Sequence, residues 1–165
     1  QLAKALGASR IMATDIVESR LEAARKCGAD VVLHGKEDVP SRVREVNDGW
    51  LADLVLICTG AKSAQIQGME SVERGGTVLF FAPTDPGVTV PLSINDFFFR
   101  NDITLTTSYA GSPGDHVEAL ELIRLGRLRV KEMITHRFGL AEIGEAFRLV
   151  AEARDSLKVI IEPQN

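Results

Sequence analysis

The chain is short of several things that usually announce a specialised role. Of its 165 residues only two are cysteine, one is tryptophan and one is tyrosine. Two cysteines, Cys27 and Cys58, are too few and too far apart for a disulfide framework or a zinc ribbon. Both read as small buried apolar side chains of a reducing compartment. Long apolar runs are missing too. The stretches 54–58 and 78–83 fall far below the ~20 residues that cross a bilayer, so no membrane partner is expected. Positive charge is in deficit: 19 Lys and Arg against 23 Asp and Glu leave a net charge of −4. No face-sized surplus of cations is on offer to a phosphate backbone, so no nucleic-acid partner is expected. The opening Gln1-Leu2-Ala3-Lys4 has no apolar leader core, which predicts a cytoplasmic location.

What is there is an ordinary globular mixture, 45% hydrophobic and 25% charged. Strand-like and helix-like segments alternate from end to end. Strands are expected over 10–14, 31–33, 53–58, 77–82, 103–108, 134–138 and 157–162. Helices are expected over 18–27, over 38–46, over 64–73 with Ile66, Met69 and Val72 inward, over 112–125, and over 141–151. Ser112-Pro113-Gly114-Asp115 is a strong helix start, with a serine cap, proline just inside and an acid three residues after the cap. Segments 53–58 and 77–82 are continuously apolar rather than alternating, which predicts strands covered on both faces of a parallel sheet. The alternation predicts an α/β fold, a doubly wound parallel sheet. Ligands of such sheets bind beyond the carboxyl ends of the strands.

The strand ends therefore carry the functional reading. Asp15 closes the first strand. An acid there can accept hydrogen bonds from both ribose hydroxyls of a dinucleotide and repel a 2′-phosphate, selecting NAD over NADP. It can equally serve as a cap for the helix beginning near Glu18. Cys58-Thr59-Gly60 follows the third strand, where glycine lets backbone approach a ligand closely. Phe81-Ala82-Pro83 follows the fourth. Thr106-Thr107-Ser108 forms a polar tip on the fifth. The glycine fingerprint of a dinucleotide fold lies roughly 20 residues before its ribose-binding acid. Counted back from Asp15 it falls ahead of Gln1, so the first strand and its Gly-rich loop are expected to be missing.

Gly7-Ala8-Ser9-Arg10-Ile11-Met12-Ala13-Thr14-Asp15, then Arg20-Leu21-Glu22 and Cys27-Gly28-Ala29-Asp30, resemble the medium-chain, zinc-dependent alcohol dehydrogenases. The likeness is to their sorbitol (polyol) and threonine dehydrogenase branch. Cys58-Thr59-Gly60, Gly75-Gly76-Thr77-Val78, Ile134-Thr135-His136-Arg137-Phe138 and Leu157-Lys158-Val159-Ile160-Ile161 extend it along nearly the whole chain. The resemblance implies a truncated Rossmann-type domain over 1–139 and a helix and strand over 140–165 that return to a catalytic domain. It implies NAD as cofactor, with Asp15 on the adenosine ribose and Arg20 near the adenine. Cys58 and Thr59 would line the adenosine half. Backbone groups of Phe81, Ala82 and Pro83 would meet the nicotinamide end, and Thr106, Thr107 and Ser108 its carboxamide. It implies zinc-assisted oxidation of an alcohol or polyol, with the zinc ligands in the parent protein only. Ser108 stands where the polyol branch often has a substrate-touching arginine. His34, His116 and His136 are too widely spaced to rebuild a metal site. Catalytic and metal-ligating residues are therefore not expected in this chain, which by itself would be inactive. A homo-oligomer through sheet edges is expected, and Ile143, Phe147, Val159 and Ile161 are expected to form an apolar patch. Two other readings share the fold: a non-catalytic nucleotide-sensing module, and a zinc-free quinone reductase-like enzyme.

Overall fold

A computed structural model describes residues 1–153 and 155–164. The chain divides into two compact units, residues 1–32 with 112–165, and residues 33–111.

The first unit opens with a one-turn helix α1 (Leu2–Ala5), followed by strand β1 (Met12–Asp15) and helix α2 (Glu18–Lys26). Gly7 and Gly28 take positive φ just past these helices, where a side chain would be strained. Strand β2 (Val31–His34) pairs with β1. The start of that pairing is fixed by Asp30. Its amide and that of Val31 donate to the Ile11 carbonyl, while its carboxylate accepts the Ile11 N–H at 2.8 Å. The second unit continues with α3 (Val39–Val46), β3 (Ala52–Ile57), α4 (Lys62–Glu70), β4 (Val72–Phe80), a π-helical turn over Asn95–Phe99, and β5 (Thr104–Thr107). The chain then returns to the first unit through α5 (Pro113–Arg124), β6 (Ile134–Gly139), α6 (Ile143–Glu152) and β7 (Lys158–Glu162). The capping box forms as the sequence predicts: Ser112 Oγ accepts the Asp115 N–H, and the Asp115 carboxylate accepts the Ser112 N–H.

In the second unit β3, β4 and β5 form a parallel sheet in that order. Ile57 lies beside Phe80, and Phe80 beside Thr107, so the three carboxyl ends finish level. The core is Ile57, Met69, Val72, Val78 and Ile103, with Val78 fully buried. Gly68 lets α4 lie tight against β3, since a Cβ there would stand 2.9 Å from Ile57 Cδ1.

The structure corrects the expected layout in three places. Helix α4 stops at Glu70, because Ala52 recruits the next residues into the sheet: its amide donates to the Ser71 carbonyl, and Ala52 pairs with Val72. Strand β3 is covered on one face only. Val55 packs on the core and Ile57 is buried, but Leu54 and Leu56 on the other face are 55% and 49% exposed. The strands fall into separate sheets, in keeping with the expected interrupted sheet. Among the described residues β1 pairs only with β2 and β3 only with β4, and β6 and β7 form a separate parallel pair. The apolar patch of α6 is made by Ile143, Phe147 and Val150 at helical spacing, while Val159 and Ile161 are half-buried.

Candidate functional site at the strand ends

Asp15 is the last residue of β1 and is half-buried. Its Oδ1 accepts the Val17 N–H at 3.0 Å, folding the carboxylate over the turn into α2. Among the described residues no Lys or Arg pairs with it, so its negative charge is not neutralised locally. Arg20, one turn into α2, points its guanidinium at the C-terminal segment, where Nη2 donates to the Ser156 carbonyl at 3.3 Å. Its Nε is buried without a partner among the described residues.

The other expected residues meet at the carboxyl ends of β3, β4 and β5. Thr59 Oγ1 accepts the Ala61 N–H at 3.3 Å, so the hydroxyl shapes the turn into α4. Neither cysteine is buried as expected: Cys27 is half-buried and Cys58 is exposed at the strand end, although partial desolvation pushes the Cys58 thiol above the ordinary value. The amides of Phe81 and Ala82 both donate to the Ile57 carbonyl. Pro83 has no N–H, so any backbone hydrogen bond from these three residues to a ligand comes from their carbonyls. Thr107 Oγ1 donates to the Phe80 carbonyl at 3.0 Å, tying the tip of β5 to the end of β4. Thr106 and Ser108 are exposed beside it. The tightest feature is the approach of the first two turns. A Cβ built on Gly60 would lie 2.4 Å from the Pro83 carbonyl oxygen. The lip of the sheet is thus a backbone surface with a polar tip, as a ligand that packs on backbone requires.

The described residues do not fit a zinc ion. No three His, Cys, Asp or Glu side chains among them form a ligand group. Nor is any helix among them long and apolar enough to cross a membrane.

The sequence model of a family described as zinc-binding dehydrogenase matches residues 1–124. The chain belongs to that zinc-binding dehydrogenase family. Over 162 residues it is 30% identical to an erythritol/L-threitol dehydrogenase of Mycolicibacterium smegmatis, covering 98% of this chain and 44% of that protein. It is 29% identical to the sorbitol dehydrogenase of Mus musculus, covering 98% and 44%. Among solved structures, the benzyl alcohol dehydrogenase of Acinetobacter calcoaceticus superposes with a TM-score of 0.86 at 28% identity, covering 96% of this chain and 44% of that one. This zinc-binding dehydrogenase chain therefore spans less than half the length of these relatives.

Proposed function

We propose that the chain is the coenzyme-holding part of an NAD-linked oxidoreductase that oxidises an alcohol or polyol to a carbonyl compound, with zinc assisting from residues outside this chain. Asp15 carries the reading. A carboxylate at the end of a strand, with no cation paired to it among the described residues, suits a ribose diol and repels a 2′-phosphate. The Val17 N–H fixes one oxygen and leaves the other as an acceptor. Bound NAD supplies a nicotinamide that takes up a hydride.

The residues of this chain bind and orient. Arg20 would serve the adenine side, after giving up the Ser156 carbonyl. Cys58 and Thr59 would line the adenosine half, carbonyls of Phe81, Ala82 and Pro83 the nicotinamide end, and Thr106, Thr107 and Ser108 its carboxamide. Residues 1–139 form the coenzyme part in this reading, and 140–165 return to a further domain. Copies would associate through sheet edges. The names of the relatives support an alcohol or polyol substrate. The chain alone is expected to be inactive.

Calorimetry with NAD and NADP on the natural polypeptide containing this chain tests the reading. NAD binding tighter by about tenfold or more supports it, the scale of one charged hydrogen bond. Equal affinity for NADP removes the argument from Asp15. Alcohol oxidation by the 165-residue chain alone overturns the division of labour.

A further inference from the structure

At the opposite end of α2 from Asp15, the first unit holds a second concavity. It is lined by Lys4, Cys27, Gly28, Arg127 and Arg129, with the side chain of Gln1 at its edge, and measures about 330 Å³. That is space for about ten waters. No acidic residue lines it. In a chain of net charge −4, three cations around one cleft are a local reversal of sign.

Helices α1, α2 and α5 all finish at this cleft, and cations beside helix ends ordinarily answer the last carbonyls. Arg129 does so: its Nη2 donates to the Lys26 carbonyl at 3.1 Å, and its Nη1 stands 3.6 Å from Glu132. Lys4 and Arg127 do not. Among the described residues neither makes an ion pair or a side-chain hydrogen bond. The cleft therefore keeps two cations after its backbone carbonyls are served. Gly28, at φ +102°, forms part of its wall in a backbone conformation that would strain any side chain. Nearby helix carbonyls oppose any anion, so two spare cations favour a divalent one that can engage both over a monoanion such as chloride.

We infer that this cleft binds a phosphate-type dianion, held by Lys4 and Arg127 with Arg129 at its wall. The site is independent of the coenzyme reading, since it shares no residue with the strand ends.

Cys27 lines the cleft, Cys58 does not, and the chain has no other cysteine, so thiol labelling reads occupancy directly. The test follows iodoacetamide alkylation of both thiols by mass spectrometry in the full chain. Inorganic phosphate, glycerol 3-phosphate and sodium chloride are compared at matched ionic strength. The expected result is saturable, severalfold slowing at Cys27 by millimolar phosphate or phosphomonoester, with Cys58 unchanged. Tighter protection by glycerol 3-phosphate assigns the site to an organic phosphate, and equal protection to the free ion. The Lys4→Gln/Arg127→Gln double variant should lose the protection, and the single variants, which keep the chain folded if the double does not, should each weaken it severalfold. Equal alkylation in phosphate and chloride overturns the proposal. So does full protection in the folded double variant.

Discussion

The carbonyl oxygen of Pro83 occupies the space where any side chain at position 60 would begin, 2.4 Å from a Cβ built on Gly60. Two turns, one leaving β3 and one leaving β4, thereby meet backbone to backbone. Because the obstacle is main chain, a rotamer change cannot relieve it. Gly60→Ala is expected to cost about 1–3 kcal/mol in urea unfolding. It should also weaken NAD binding in the natural polypeptide, because the displaced turns carry the Phe81, Ala82 and Pro83 carbonyls. Unchanged stability would mean the turns part freely.

Asp15→Asn keeps the shape of the side chain and its bond from the Val17 N–H, but removes the charge. NAD affinity is expected to fall about tenfold or more, as for loss of a charged hydrogen bond. NADP should gain relative to NAD. Titration calorimetry with both nucleotides reads the two effects separately, and an unaltered NAD/NADP ratio would argue that the carboxylate only shapes the turn.

Val78 is fully buried at the centre of the β3–β4–β5 sheet, whereas Leu56 shows about half its surface to water. Val78→Ala should cost about 2–3 kcal/mol, two methyl groups plus the cavity they leave. Leu56→Ala, although it removes more atoms, should cost less than about 1 kcal/mol in the same chain. Urea midpoints at constant m-value provide the comparison.

Glu73 gives the second unit an acid-sensitive point. Its carboxylate accepts the Leu51 N–H at 2.8 Å and the Arg74 N–H at 3.0 Å, and these bonds, the Leu51 one foremost, hold its carboxyl below the ordinary value of 4.5. A carboxyl lowered in the folded state supports folding above its unfolded value and loses that support as pH falls through the lowered one. The urea midpoint of the wild type should therefore drop between about pH 5 and pH 3 more steeply than that of Glu73→Gln. Parallel curves would show that the two amides contribute nothing to the acid limb.

Features set by neighbouring residues were legible in the sequence. The Ser112-Pro113-Gly114-Asp115 box depends on side chains within one turn. The α/β class followed from segment order, and the family from the resemblance of short motifs along the chain. Features set by distant partners were not. Val72 has the right spacing to continue α4, yet pairing with Ala52 draws it into β4. Leu54 and Leu56 read as covered because periodicity reports apolarity, not what lies above a face. The π-helical turn at Asn95–Phe99 hides in a run of three phenylalanines with no period to read. At the candidate site, Asp15 could be found because an acid at a strand end is a one-residue signal. That the Phe81 and Ala82 amides are already taken by Ile57, or that Arg20 reaches Ser156, needs coordinates.

The uncovered leucines of β3 lie on a strand whose second edge has no partner among the described residues. Greasy side chains next to open main-chain donors and acceptors make an adhesive ribbon. Anything that covered this ribbon would guard the chain against clumping as well as complete its packing.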